Sequence, residues 1–441
     1  MVGTVKTNLT LIVVAAACSL SMARGTEALK LDAKPERSLL QISGGESVLQ
    51  VEVRGRKTPS EKRKIPLNLA VVLDRSSSMS GQKIDQARQA ALVALDEISE
   101  GDIFSLVIYS NEVEVIIPAG PVRDKAEIEK KISAIQARGG TALYAGVQGG
   151  AEQLRKHFSK EKINRVILLS DGQANVGPSS TEELSKLGST LAGEGISVST
   201  IGLGESYNED LMTALAESSE ANYYFVKDAE KLPEVFADEL GTVKSVVARN
   251  LRLIITLPEG LEGTGVLGDE TIRFEGRTLT IPLSEMSGGQ TRRFLIGVKV
   301  PPGEEKEVKI ADVRLAYLDT EGRAQNTEAA VSARRTADAA ASAASVKPEV
   351  GTSVAVVRNR LAKEKAVAYA DEGRTEEAAK ILQQQAAENA ALPAAVQNDV
   401  LRKDTDALTR HANTITSAGS LSPAARKEIK FENYQDKMQK R

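Results

Sequence analysis

The chain has 441 residues with 57 Lys and Arg against 60 Asp and Glu, so it is nearly neutral and no binder of a nucleic-acid polyanion is implied. With 27% charged and 41% hydrophobic residues it has the proportions of a globular protein, long enough for two or three domains. His157 and His411 lie far apart and Cys18 is the single cysteine, which excludes a Cys/His zinc site and an internal disulfide.

Residues 1–23 have the layout of a secretory signal: Lys6, then an apolar run over 9–17 too short to span a membrane, then small residues. Ser21-Met22-Ala23 offers cleavage after Ala23, whereas Ala15-Ala16-Ala17-Cys18 resembles a lipoprotein box that would leave a lipid anchor on Cys18; uncleaved anchoring is a third outcome. Each route gives an exported protein, periplasmic, envelope-associated or secreted. A mature chain without a free core thiol suits an oxidising compartment.

Residues 39–53 alternate around Ser43-Gly44-Gly45 and read as a hairpin or a pair of short strands, so 30–62 supplies N-terminal strands, with a charged connector over 54–64. The rhythm then changes. Unbroken apolar runs at 69–73, 103–109, 166–169, 198–201 and 223–226 read as strands buried on both faces. Helical stripes lie between them, as in Ile84, Ala87, Ala91, Leu95 and Ile98, or Val147, Ala151 and Leu154, and a last helix is expected over 228–247. This order predicts a doubly wound α/β domain with a mainly parallel sheet over 65–247.

After Arg249 the pattern returns to strands, expected at 251–257, 271–274, 279–283, 293–300 and 313–318. The early hairpin has no partner of its own, so it is expected to join these strands, making the α/β domain an insertion in an all-β sandwich completed by 248–335. The Ala/Ser-rich stretch 329–346 can continue a strand at its start and then reads as a connector, the linker being 336–349. Residues 350–441 read as helical: a helix hairpin around Gly373, a helix beginning at Pro393, and a last one from Pro423 with a solvated basic end at Lys437, Lys440 and Arg441.

The chemistry concentrates at strand ends. Asp74-Arg75-Ser76-Ser77-Ser78 follows the first buried strand, Asp171 follows another in Leu169-Ser170-Asp171-Gly172, and Gly139-Gly140-Thr141 precedes a helix on the same rim. Ligand sites in open α/β sheets lie beyond the carboxyl ends of the strands. Alone, Asp74, Ser76 and Ser78 read as caps for the helix beginning near Gly81; with Thr141 and Asp171 in register they read as a metal site.

These residues resemble the metal-ion-dependent adhesion site of von Willebrand factor type A domains, and the resemblance extends over 65–247. Residues 164–177 and 196–210 further resemble the branch containing inter-alpha-trypsin inhibitor heavy chains and bacterial secreted relatives. Ser77 departs from the pattern, since many members have Gly there. The resemblance implies a Mg²⁺ ion, or Mn²⁺ or Ca²⁺, coordinated by the hydroxyls of Ser76, Ser78 and Thr141, with Asp74 and Asp171 acting mostly through water. Few direct carboxylates leave such an ion electrophilic, and its open position would accept a Glu or Asp carboxylate from a partner protein. By the same analogy, a shift of the helix over 228–247 would pass into the sandwich at Arg249.

Other motifs fail in context. Gly263-Thr264-Gly265-Val266-Leu267-Gly268 fits a dinucleotide fingerprint but lies among strands, so a glycine-rich turn is expected. Ser170 has Leu168 where a nucleophile elbow requires Gly. His157, placed in a helix, and His411 are both expected at the surface. The expected function is a metal-dependent protein-binding or adhesion module and not an enzyme. A non-adhesive accessory to an ATPase chaperone and a metal-dependent hydrolase are the alternatives. Only 3% aromatic residues weigh against a stacking surface for carbohydrate.

Overall fold

A computed structural model describes residues 28–57 and 65–438; the export segment with Cys18, part of the charged connector, and Lys440 and Arg441 lie outside the described residues. Three strands open the chain, β1 (Leu29–Pro35), β2 (Leu39–Gln41) and β3 (Gly45–Gly55). The α/β unit then runs β4 (Leu67–Asp74), α1 (Gln82–Asp96), β5 (Ile103–Tyr109), β6 (Val113–Gly120), α2 (Lys125–Ser133), α3 (Leu143–Arg155), β7 (Ile163–Ser170), α4 (Thr181–Glu194), β8 (Ser197–Leu203), α5 (Glu209–Ser218), β9 (Tyr223–Val226) and α6 (Leu232–Lys244).

Its six-stranded sheet has the order β6-β5-β4-β7-β8-β9, parallel throughout except for β6. Every residue of β4, β5, β7 and β8 is buried, because α1, α2 and α6 cover one face and α3, α4 and α5 the other. Strand β6 has no such apolar run and was not anticipated: it is a half-exposed antiparallel edge whose register with β5 shifts twice. Helix α6 is shorter than expected. A 3-10 turn over Ala229–Lys231 precedes it, and the chain passes from Lys244 almost directly into the next strand.

That strand is β10 (Val246–Thr256), followed by β11 (Glu262–Val266), β12 (Thr278–Ser287), β13 (Thr291–Val300), β14 (Glu307–Asp319) and β15 (Ala324–Thr336). They form two sheets with the early strands, β1-β3-β13-β11 and β12-β10-β14-β15-β2. Strand β3 pairs antiparallel with β13 from Gly45 opposite Val300 to Arg54 opposite Thr291, so the α/β unit is an insertion in a β-sandwich. The expected strand at 271–274 is absent. The strand lies instead in the glycine-rich segment expected as a turn: β11 carries a bulge between Gly263 and Gly265, and Phe274 covers Gly263, where a Cβ would stand 2.2 Å from the ring.

The linker holds a short helix, α7 (Ala339–Ala344), capped by Asp338 and fastened to Leu39 by the Ser342 and Ser345 hydroxyls. Helices α8 (Pro348–Asp371), α9 (Thr375–Ala390), α10 (Asp399–Ala418) and α11 (Pro423–Met438) complete the chain. Helix α10 begins at Asp399 and not at Pro393: Asn398 accepts the Leu401 N–H at 2.9 Å, while Pro393 sits in a preceding turn. His411 is buried, 7% exposed, with Nε2 3.4 Å from Glu432, contrary to the surface position expected. His157 lies in a turn past the end of α3, with Nε2 3.1 Å from the Ala119 carbonyl. A cleft of ≈ 910 Å³ separates the outer face of β1 and β3 from α8 and α10.

The last helix is docked, not solvated. Tyr434 and Phe431 meet Tyr223 of β9 edge-on, and Arg426, Lys427, Lys430 and Lys437 pair with Glu209, Asp210 and Glu217 of α5. A basic stripe beside acidic residues of its own helix reads as a free surface until the fold supplies its partners from elsewhere.

The inserted unit meets the sandwich through a buried ion cluster. Arg165 of β7, fully enclosed, contacts Glu239 of α6 and Glu285 of β12, and Glu239 also accepts from Ser199, Asn222 and Tyr224. Removing one member of such a cluster leaves an uncompensated buried charge. Arg165→Leu is therefore expected to lower stability in urea unfolding by about 3–5 kcal/mol. A loss below about 1 kcal/mol would show that Glu239 is satisfied without the guanidinium.

Candidate functional site

Strands β4 and β7 are neighbours in register, Leu73 opposite Leu169, so the residues following each emerge side by side at the carboxyl edge of the sheet. Asp74 and Asp171 both have no exposed surface. The Asp74 carboxylate accepts the Ser76 backbone N–H at 2.7 Å on Oδ1 and the Ser170 hydroxyl at 2.8 Å on Oδ2. Tyr109 stands beside it and donates to the Leu169 carbonyl at 3.1 Å. Asp171 accepts the Ser78 hydroxyl at 2.6 Å on Oδ1 and the Lys83 ammonium on Oδ2. Ser76 Oγ and Ser78 Oγ lie 2.9 Å apart.

The third segment arrives from α3. Gly140 N–H is held by Asn111 Oδ1 at 2.7 Å and Thr141 N–H by Asn175 Oδ1 at 2.8 Å, which fixes Thr141 against the Asp74 turn. Ser77 donates through both its backbone N–H, at 3.0 Å, and its hydroxyl, at 3.1 Å, to the Gly139 carbonyl. The departure at Ser77 thus ties two rim loops together, and its backbone needs no left-handed conformation.

All five residues expected at the site therefore converge. A Cβ placed on Gly172 would stand 3.1 Å from Thr141 Oγ1, 3.3 Å from Ser78 Oγ and 3.9 Å from Ser76 Oγ, so three hydroxyl oxygens face one small cradle backed by two carboxylates. Among the described residues, no three His, Cys, Asp or Glu side chains gather to hold a metal; the donor set here is mostly hydroxyl. Such hard oxygens, with Ser78 open to solvent, fit a divalent cation that keeps some of its waters.

Sequence reasoning missed Lys83, Asn111, Asn175 and the hydroxyl that Ser170 donates to Asp74. Asn111 and Asn175 each follow a rim strand within a few residues, the one local signal that marked them. Lys83 sits in the first turn of α1 and carries no motif-level signal of its own.

Residues 68–238 match the family model of the von Willebrand factor type A domain. The inserted α/β unit is a von Willebrand factor type A domain. Similar proteins include the uncharacterized protein sll0103 of Synechocystis, 26% identical over 60% of this chain and 64% of that protein. Mouse inter-alpha-trypsin inhibitor heavy chain H3 is 30% identical over 34% of this chain and 18% of its own length. The chain spans less than two thirds of each of these curated relatives. Among solved structures, a von Willebrand factor type A protein from Catenulispora acidiphila superposes with a TM-score of 0.68 at 18% identity, over 87% of this chain and 96% of that one. The ArnB paralog VWA2 from Sulfolobus acidocaldarius superposes at 0.59 with 19% identity, over 93% and 98%. Both cover the sandwich and tail as well as the type A domain, so the whole architecture, and not the inserted domain alone, is a shared fold.

Burial pushes the Asp74 carboxyl up to about 6 from an ordinary value of 3.8; the Ser76 and Ser170 hydrogen bonds oppose the rise and the Asp171 charge adds to it. A carboxyl raised in the folded state contributes stability that is present below pH 3.8 and lost as pH rises through about 6. In EDTA the protein should therefore gain stability from Asp74 as pH falls from 8 towards 4. Asp74→Asn should stabilise the metal-free protein near pH 8 by up to about 3 kcal/mol, with the advantage disappearing near pH 4. Urea titrations of both proteins at the two pH values test this; a variant less stable at pH 8 would contradict it.

Proposed function

We propose that the type A domain is a metal-dependent protein-binding module. Type A domains are in general protein-interaction modules, and the observation that carries the finer reading is the convergence of Ser76, Ser78 and Thr141 on one cradle backed by Asp74 and Asp171. These five residues would hold a divalent cation, Mg²⁺ or in its place Mn²⁺ or Ca²⁺, and the ion would supply an electrophilic position for an acidic side chain. Each protein group has a defined part. Ser76 and Ser78 present oxygens from one turn, Thr141 closes from the α3 side, and Asp74 and Asp171 balance charge without being exposed to compete with the partner's carboxylate.

The partner would be a protein offering Glu or Asp at an accessible site. The position of the rim supports this: it lies at the ends of β4 and β7 opposite those that meet the sandwich through Arg165, so the docked body leaves it clear. A non-enzymatic role is supported by the placement of the histidines, His157 at the far end of α3 from Thr141 and His411 within the helical tail, neither available as a base at the rim. The N-terminal segment supports export to the periplasm, envelope or exterior; a reporter active only in the cytoplasm, fused to the chain, should be silent.

Calorimetric titration of the protein from Arg24 onward with Mg²⁺ and Mn²⁺ is the direct test. Binding should be abolished by the double change Ser76→Ala and Ser78→Ala, in a variant whose circular dichroism is unchanged. Equal binding by the double variant would place the metal elsewhere and end this reading.

A further inference from the structure

The two buried carboxylates of the rim are not treated alike. Among the described residues no Lys, Arg or His pairs with Asp74, whose acceptors are filled by the Ser76 N–H and the Ser170 hydroxyl. Asp171 already holds a cation: the Lys83 ammonium donates to Oδ2 while Ser78 occupies Oδ1. The contact is shaped by its surroundings. Lys83 stands one residue inside α1, which starts immediately after Gly81, and its end passes the close of β8 at Gly204, where a Cβ would meet Nζ at 3.7 Å and Cε at 3.9 Å. The Asp171 side chain is 0% exposed and that of Lys83 32%, so the ammonium has water on one side and can leave, whereas the carboxylate cannot.

Resting on the metal-site reading above, we infer that Lys83 is a tethered counter-cation that competes with the divalent ion for Asp171, so that metal is held weakly alone and firmly only together with an acidic ligand. The charge balance gives the direction. Asp74, Asp171 and Lys83 together carry one negative charge, and a divalent ion turns this into one positive charge. A partner carboxylate then restores neutrality beside two carboxylates that have no exposed surface, where unbalanced charge is expensive. Without the ammonium, the ion alone would neutralise the two carboxylates, and the ligand's charge would no longer be needed. Metal and acidic ligand therefore reinforce one another through Lys83, and the reinforcement is reciprocal. In the metal-free state the same ammonium compensates a carboxylate that has no exposed surface.

The experiment is calorimetric titration of the full chain with Mn²⁺, with and without acetate as the carboxylate probe, for wild type, Lys83→Met and Lys83→Arg. Lys83→Met should bind Mn²⁺ about tenfold or more tightly than wild type, and Lys83→Arg should bind like wild type. Acetate should tighten Mn²⁺ binding in wild type and much less in Lys83→Met. Thermal unfolding gives an independent reading: Lys83→Met should melt lower than wild type in EDTA and be raised more by Mn²⁺. Equal or weaker Mn²⁺ binding by Lys83→Met, beside a wild type that binds, would overturn the inference and make Lys83 a residue that merely orients Asp171. Folded wild type and Lys83→Met that both fail to bind Mn²⁺, with and without acetate, would overturn the metal-site reading itself and this inference with it.

Discussion

Two carboxylates without solvent exposure, at the ends of neighbouring strands, set the terms for this molecule. Charge taken out of water must be paired, hydrogen-bonded or neutralised. Around Asp74 and Asp171 the chain supplies hydroxyls from Ser76, Ser78 and Ser170, a backbone N–H, and the Lys83 ammonium. The ladder pairing of β4 between β5 and β7 is what holds the carboxylates there, with Asp74 opposite Tyr109 and Leu73 opposite Leu169. Helix α3 completes the arrangement by lying unusually close to the sheet. A Cβ at Gly146 would stand 2.7 Å from Tyr109 and one at Gly150 2.5 Å from Val72, so glycines at these positions let the helix start, with Thr141 just ahead of it, reach the rim.

The parts of the fold that were plain in the sequence are those whose residues answer to one environment. Strands such as β4 and β7 carry unbroken apolar runs, Leu69 to Leu73 and Val166 to Leu169, because helices cover both faces, and the rim residues sit where those runs stop. Strand β6 answers to two environments, one face packed and one wet, and its pattern dissolves into that of a loop. The stretch around Gly263 looked like a turn, whereas Gly263 makes room for Phe274, a contact between positions that only the fold brings together. The same holds for the tail: Lys427 and Lys430 look solvated until Glu209 and Asp210 are placed opposite them, more than two hundred residues earlier in the chain.

At the site, the five oxygen-bearing residues were visible because they sit at fixed distances from strand ends. Their supports were not. Asn111 and Asn175 each donate nothing to the cradle and act by accepting a single backbone N–H, a task open to many residue types in many loops. Lys83 is one cation among many on exposed helical turns, and only the three-dimensional closeness of α1, the end of β8 and Asp171 sets it apart. The sandwich contributes from the other end, where Arg165 locks β7 to α6 and β12, so the strand that carries Asp171 is fixed at both of its termini.

The way the type A domain is threaded into the sandwich also governs the order in which the molecule can assemble. Strand β3 ends at Gly55 and its partner β13 begins at Thr291, with the whole inserted domain between them in the chain. Closing a flexible loop of that length is entropically costly and slow, and non-local strand pairing is slow in its own right. The exit of the insertion nevertheless returns to its entrance: a Cβ on Gly55 would stand 3.4 Å from Val247, at the start of β10. A type A domain that has already folded delivers these two chain ends to the same place and turns the long closure into a short one. Assembly of the sandwich is then tied to prior folding of the domain that it carries, and a damaged insertion would leave two unpaired sheet edges behind.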